Sequence, residues 1–251
     1  MSNAKRKVVG LIPARMGSVR VKCKNLRLLA GKPLISYTIQ TLQQTKSFDE
    51  IYVNSESEII GEVAQRYGIR FYQRPPALAT SQSMIDEYLY DFLVHVPCDV
   101  LAVVNPTSPF LTSEEIDGAV QHFLAHDCDT QLACTAFRTH CFLGGRAINF
   151  SAAGKHPRSQ DLEPVLGLNF AVTVWDAQKF IRQFETQGHG VYTGKLGFYI
   201  FEGLSTIDID WDEDFALAEI LMANREKLHH AEARYDPVLD QVLASGQTTA
   251  S

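Results

Sequence analysis

No Asp or Glu occurs before Asp49, although ten Lys or Arg side chains fall in the same 48 residues. The other 203 residues carry 13 basic and 29 acidic side chains, so a net charge of −6 is a basic start on an acidic body. That distribution argues against a general nucleic-acid surface and for a local anion site. No run approaches the roughly 20 consecutive apolar residues of a membrane-crossing helix, and the basic Lys5 to Lys7 is followed by only a short apolar run, Val8 to Ala14. A cytoplasmic, membrane-free protein is expected. The five cysteines (Cys23, Cys98, Cys128, Cys134, Cys141) include no CxxC pair and are odd in number. This excludes the usual disulfide frameworks and zinc sites and predicts reduced thiols. There is no Walker A motif and no GxGxxG. His122 and His126 have metal-ligand spacing but no HExxH context, and Ser108 and His140 do not sit in a nucleophile elbow. Trp175 and Trp211, the two tryptophans, read as packing residues.

What is present alternates. Apolar runs of strand length (Val8 to Ala14, Ile51 to Ser55, Ile69 to Tyr72, Val100 to Asn105) are separated by helix-periodic segments. Those segments are Pro33 to Gln44, Glu58 to Tyr67, Ser83 to Val94 and Ser113 to Ala125. Continuous apolar strands alternating with helices imply a three-layer α/β fold on a mainly parallel sheet, with ligands at the carboxyl ends of its strands. The pattern fails from Phe137 to Glu163, where Gly144, Gly145, Gly154 and Pro157 interrupt it, so an arm or lid is expected at about 137–164. A strand from Leu168 to Trp175, a helix from Ala177 to Thr186, a strand from Leu196 to Phe201 and a helix from Asp212 to Leu228 then complete a unit of residues 5–228, followed by a polar tail, 229–251. The opening Met-Ser-Asn-Ala reads as an expression remnant and is left out of the functional reading.

Two segments carry chemistry. The run Leu11-Ile12-Pro13-Ala14-Arg15-Met16-Gly17-Ser18-Val19-Arg20-Val21-Lys22-Cys23-Lys24-Asn25 is a strand entering a basic loop, and Gly31-Lys32-Pro33-Leu34 opens the next helix. Backbone amides, a hydroxyl and several cations are what a phosphate chain needs, although a generic βα turn fits the one-glycine loop equally well. Farther on, Asp208 and Asp210 are two apart in a strand-like segment, so both carboxylates point to one face. Such a pair suits Mg²⁺, a hard ion that shares its shell with phosphates; a polar face leading into a helix cap is the alternative. Asp212, Glu213 and Asp214 read as acids of the first helical turn.

The loop resembles the IPARxGSxRxxxKN segment of the acylneuraminate cytidylyltransferase family, and GKPL continues the match. In the same order, Arg74-Pro75 with Leu78-Ala79 resembles RPxxLA, and Asn105-Pro106-Thr107-Ser108-Pro109 resembles QPTSP. Arg158 to Leu162 resembles RRQDL, Asn169-Phe170-Ala171 resembles NGA, and Ile207 to Asp210 matches IDID. The match covers residues 8 to 225. It implies a nucleotide-diphospho-sugar transferase (Rossmann-like) fold, a homodimer with the arm as its dimerisation excursion, and transfer of CMP from CTP to a 2-keto sugar acid with Mg²⁺ and release of pyrophosphate. By resemblance, Arg15, Lys24, Asp208 and Asp210 are catalytic, the two aspartates holding the metal. Ala14, Ser18, Asn25, Arg74 and Ser83 bind the nucleotide, and Asn105, Thr107, Ser108, Arg158, Gln160 and Asn169 face the sugar acid. Asn105 stands in place of the usual Gln, and Phe170 in place of Gly. A Kdo-type or other sugar nucleotidyltransferase, or a noncatalytic nucleotide-binding dimer, are the competing readings.

Overall fold

The computed structural model describes residues 5–18, 20–225, 235–237 and 239. In chain order the elements are β1 (Val8–Pro13), β2 (Leu28–Leu29), β3 (Lys32–Pro33), α1 (Leu34–Gln44), β4 (Glu50–Ser55), α2 (Glu58–Arg66), β5 (Arg70–Gln73), α3 (Ile85–His95) and β6 (Val100–Val104). There follow α4 (Ser113–Ala125), β7 (Thr130–Phe137), β8 (Phe142–Leu143), β9 (Arg146–Ala147), β10 (Val165–Leu168), β11 (Val172–Asp176), α5 (Ala177–Gln187), β12 (Leu196–Ile200) and α6 (Asp212–Ala223). The main sheet runs β10-β7-β11-β6-β1-β4-β5, with β12 on the other edge of β7. Strands β6, β1, β4 and β5 are mutually parallel, as is β12 to β7, whereas β11 and β10 run antiparallel to their neighbours.

The continuous apolar runs are explained by burial on both faces. In β1, Val8 and Ile12 pack with Ile35, Ile39, Ile60 and Phe123 from α1, α2 and α4. Val9 and Leu11 face the other way, onto Leu89, Phe92 and Phe180 from α3 and α5. The expected three layers are therefore present. A third cluster holds α6 against the loop after β1: Val21, Leu29, Leu34, Phe110, Ile209, Phe215 and Ala218. Burying a side chain of the size of Ile209 or Phe215 contributes about 1.5–3 kcal/mol, and this cluster brings the carboxyl-terminal acids to the amino-terminal basic loop.

Several boundaries differ from the sequence reading. Strand β7 was not expected, because Thr130 and Gln131 break its apolar run; both are fully buried, with Thr130 Oγ1 donating to the Thr193 carbonyl at 2.9 Å and Gln131 Nε2 to the Ala119 carbonyl at 2.7 Å. The single strand expected from Leu168 to Trp175 is two. β10 and β11 lie along the same edge of β7, but between Leu168↔Cys134 and Val174↔Gln131 six steps on one chain oppose three on the other. Asn169, Phe170 and Ala171 bulge out there, with Phe170 at φ 54°. GKPL does not simply open a helix: a two-residue hairpin, β2 and β3, turns at Ala30 (φ 45°) and Gly31 (φ 84°) before α1 starts. Such turns need positive φ at both central residues. Helix α3 starts at Ile85 rather than Ser83. Helix α6 ends at Ala223 with Asn224 as its cap, short of the expected Leu228; residues 226–228 and most of the tail lie outside the described residues.

Candidate active site

After β1 the chain leaves for β4 and β5 on one side and returns to β6 on the other, so the switch point of the sheet lies between β1 and β6. Ligand clefts form at such points, beyond the carboxyl ends of the strands, and two adjoining clefts open here. The larger, of about 300 Å³, is lined by Ala14, Arg15, Arg74, Ser83, Tyr88 and Asn105 among others. The smaller, of about 160 Å³, is lined by Arg15, Ser18, Arg20, Lys24, Asn25 and Thr107 among others. Pro13, Arg15 and Asn105 belong to both.

The basic loop is tied at several points. Ala14 N donates to the Asn54 carbonyl at 2.9 Å, Met16 N to Glu56 Oε1 at 2.8 Å, and Arg15 Nη1 to the Thr80 carbonyl at 3.0 Å. Asn25 Nδ2 donates to the Arg15 carbonyl at 3.2 Å, while its Oδ1 is buried in the smaller cleft's lining with no hydrogen-bond partner. A buried acceptor left unpaired is costly, which marks the position as one suited to a ligand donor.

Arg74 is almost fully buried. Its Nε donates to Asn54 Oδ1 at 2.5 Å, and its guanidinium lies 4.0 Å from the Tyr88 ring centroid. Burial lowers the Arg74 pKa, with Tyr88 and Glu56 opposing the effect. Tyr88 keeps some ring surface in the cleft, yet burial pushes its hydroxyl up to about 12. The cation thus serves a fixed, neutral wall. Tyr88, Asn54 and Glu56 were missed as site residues, and Arg20 was read only as one of the cations of the basic loop. Asn54, a polar residue near the carboxyl end of β4, as Asn105 is just beyond that of β6, carried a signal; Tyr88 on α3 carried none.

The acids come next. Ile207 to Asp210 is extended rather than a paired strand, but period two holds: Ile209 is buried while Asp208 and Asp210 reach the surface. Ile209 N donates to the Thr107 carbonyl at 2.9 Å, which fixes this segment against the β6 loop. Asp210 pairs with Arg20 Nη2 at 3.0 Å and Lys24 Nζ at 3.3 Å, and Lys24 Nζ also donates to the Ile209 carbonyl at 2.5 Å. Asp208 has an open side, but the protein around its inner side raises its pKa; the Thr107 hydrogen bond and Lys24 pull the other way, and Asp210 and Asp214 add to the rise. Its exposure means that the direction holds while solvent screening keeps the effect small. Asp214 Oδ2 accepts from Asp210 N at 2.9 Å and Trp211 N at 2.8 Å, as an acid of the first helical turn should. Among the described residues no group of three or more His, Cys, Asp or Glu side chains is placed to hold a metal ion, so the protein would supply two carboxylates at most here.

The sugar-side residues are more scattered. Asn105 Nδ2 donates to the Phe170 carbonyl at 2.6 Å, and Asn105 N to the Ala171 carbonyl at 3.1 Å, which pins the bulge at the cleft. Asn169 is in that bulge, its Nδ2 donating to Thr135 Oγ1 at 3.1 Å. Phe170 also helps to line a small apolar recess with Ile85, Val103 and Trp175. Ser108 is buried in the turn after β6 and does not line the two clefts, and neither do Arg158 and Gln160. Arg158 is exposed on the arm, paired to Asp161 at 2.8 Å and 3.0 Å. Of the tryptophans, Trp175 packs as expected, its Nε1 donating to the Val191 carbonyl at 2.9 Å. Trp211 does not: it is 55% exposed, because it caps α6 at the rim rather than facing the core. All five cysteines are free thiols.

A fold of this topology with a basic loop and paired carboxylates at its switch point has known counterparts. The family model described as Cytidylyltransferase matches residues 9–236. The chain belongs to the cytidylyltransferase family. It is 30% identical over 218 residues to N-acylneuraminate cytidylyltransferase of Streptococcus agalactiae, covering 83% of this chain and 52% of that protein. It is 32% identical over 239 residues to CMP-N,N'-diacetyllegionaminic acid synthase of Legionella pneumophila, covering 88% and 99% respectively. The chain thus spans about half the length of the acylneuraminate relatives it matches, and the full length of the legionaminic one. Among solved structures, CMP:2-keto-3-deoxy-manno-octonic acid synthetase complexed with CTP superposes with a TM-score of 0.65 at 17% identity, over 87% of this chain and 99% of that one. That likeness bears on the fold alone, which is the expected cytidylyltransferase fold.

Proposed function

We propose that this chain transfers CMP from CTP to a 2-keto sugar acid of the acylneuraminate or related nonulosonic type, releasing pyrophosphate. The observation that carries the reading is the meeting, at one switch point, of Arg15, Ser18 and Lys24 with the Asp208 and Asp210 pair. The cation-lined smaller cleft suits the triphosphate, and the larger cleft, with Arg74 against Tyr88 and with Ser83 at its edge, suits the cytidine. Asn25 Oδ1, buried without a partner, suits a ribose hydroxyl. Asn105, Thr107 and Asn169 would meet the sugar acid, whose anomeric oxygen would attack the α-phosphorus in line. Positioning and charge stabilisation supply most of the catalysis of such transfers.

We assign the metal to Asp208 and Asp210. The donor set fits Mg²⁺: two hard oxygen ligands leave positions for waters and phosphate oxygens, and two neighbouring carboxylates, one with a raised pKa, are relieved by a divalent cation. When bound, the ion would neutralise charge developing on the phosphates. Arg15 and Lys24 would offer cationic donors to the same phosphate oxygens.

We also propose a homodimer. Leu196, Phe198 and Ile200 of β12 pair with Thr130, Leu132 and Cys134, and Leu166 and Leu168 of β10 pair with Ala136 and Cys134. These apolar side chains therefore share one face of the sheet, and all five are exposed. A face of this kind calls for a partner, and a second copy would cover it while bringing the arm, with Arg158 and Gln160, toward the neighbouring sugar site. Among the described residues no helix is long and apolar enough to cross a membrane, and the free thiols fit a reducing compartment; we place the enzyme in the cytoplasm.

The test is pyrophosphate release from CTP, UTP and ATP with Mg²⁺ across acylneuraminic, legionaminic and Kdo-type acids. Turnover with CTP and a nine-carbon acid is expected. Absence of release from CTP with every acid would overturn the reading, and turnover with the Kdo-type acid alone would reassign the substrate.

A further inference from the structure

Asp210 is already occupied in the free protein. Two cations hold it, and they are not equivalent. Lys24 is largely buried, with its side chain 14% exposed, and is anchored a second time on the Ile209 carbonyl at 2.5 Å. Arg20 is half-exposed, 3.0 Å from Asp210. Its guanidinium carbon also lies 5.1 Å from the centre of the exposed Trp211 ring. The same Arg20 lines the smaller cleft beside Ser18, Lys24, Asn25 and Thr107. One guanidinium thus stands within reach of both a carboxylate assigned to the metal and the space assigned to the phosphates.

We propose that Arg20 is a positioning residue that couples nucleotide binding to metal binding. Without nucleotide, its guanidinium rests on Trp211 and masks Asp210, competing with a divalent cation. A triphosphate entering the smaller cleft draws the guanidinium onto phosphate oxygens, which it matches with paired donors, and Asp210 is bared for the metal. An exposed ion pair is weak, so masking lowers metal affinity only modestly, while the phosphate contact is the stronger of the two. The result is positive coupling between the two ligands, and by linkage each then raises the other's affinity equally. Trp211 at the rim acquires a role that its exposure otherwise leaves without one: it keeps the guanidinium poised between its two anions. The inference rests on the CTP and metal assignments above.

Isothermal titration calorimetry on the whole chain tests it with two separate titrations: Mn²⁺ without nucleotide, and CTP in the presence of EDTA. Arg20→Ala is expected to bind Mn²⁺ about two- to fivefold more tightly, the range an exposed ion pair covers. It is also expected to bind CTP about tenfold more weakly, as loss of a charged hydrogen bond implies. A residue that merely supports the fold would weaken both or neither, so the opposite signs are the signature. Arg20→Lys retains the charge without the planar fork, and should keep Mn²⁺ affinity near that of the parent while CTP affinity falls part of the way. Parallel shifts, or none, in Arg20→Ala would overturn the coupling while leaving the activity reading standing. A parent chain that binds neither ligand at millimolar concentration would overturn both.

Discussion

Replacing Asp210 with Asn keeps the shape of the side chain and removes one anion, so its effects on stability and on turnover separate cleanly. For stability, the losses are the pairs to Arg20 and Lys24. Asp210 and Arg20 are 37% and 49% exposed, which puts that pair at no more than about 1 kcal/mol. Lys24 keeps the Ile209 carbonyl, and the backbone stays fixed because Asp214 still accepts from Asp210 N and Trp211 N. The whole change should therefore lower Tm by about 2–4 °C at most. For turnover, loss of one strong electrostatic contributor to a phosphoryl-type transition state is on the order of 10²-fold, or ~2.7 kcal/mol. The assay is the initial rate of pyrophosphate release over a Mg²⁺ series, with Tm measured on the same samples. A fall of about a hundredfold at low Mg²⁺, partly restored at high Mg²⁺, is expected. Asp214→Asn, with an amide oxygen still able to accept, should keep turnover within about threefold while lowering Tm, since a cap is worth ~1 kcal/mol. Parent-like turnover at low Mg²⁺ from both Asp210→Asn and Asp208→Asn would refute the metal role and leave Asp210 as a partner of Lys24 and Arg20 on a polar face leading into the cap of α6.

Other perturbations probe separate parts of the argument. Because Asp208 has a raised pKa, the folded state binds its proton more tightly than the unfolded chain does. Its ionisation therefore costs stability as pH rises through the folded value. Asp208→Asn should give a small rise in Tm at pH 7 that disappears below the ordinary carboxylate range, and a lower Tm at pH 7 would contradict this. Phe198→Glu places a charge in the exposed apolar face of β12, so light scattering should show the proposed dimer converted to monomer at micromolar concentration; an unchanged mass would remove that face from the interface. At Gly194 the backbone has φ 58°, and an added Cβ would stand 2.1 Å from Asp129 Oδ2. That carboxylate is tied to Lys179 and to Lys195 N and cannot swing away freely. Gly194→Ala should cost about 2–4 kcal/mol, roughly 5–15 °C of Tm, with turnover at 25 °C unchanged; a shift below 2 °C would show that the loop relaxes.

The parts of the fold legible in the sequence were those whose side-chain pattern is set by local burial. Strands β1, β4 and β6 are continuous apolar runs because helices cover both of their faces, and α1, α2 and α4 carry the matching stripes. The basic loop and the Asp208 and Asp210 pair were legible because charge and period two are properties of a short segment. What was missed depends on partners distant in the chain. Strand β7 is hidden by Thr130 and Gln131, whose polar groups are satisfied by the Thr193 and Ala119 carbonyls only once those segments are packed alongside. The break between β10 and β11 follows from the register of β7, which no feature of residues 165–176 encodes alone. Trp211 looks like a core residue by type, and it is exposed because Ile209 and Phe215 take the buried positions on either side of it. The sequence by itself determined the layered α/β class, the basic loop and the acid pair, since each is written in neighbouring residues. The tertiary structure decided that Ile209, seated among Val21, Leu29 and Phe215, would carry Asp210, 186 residues along the chain, to within 3.3 Å of Lys24, because only burial against distant side chains can fix a contact of that separation.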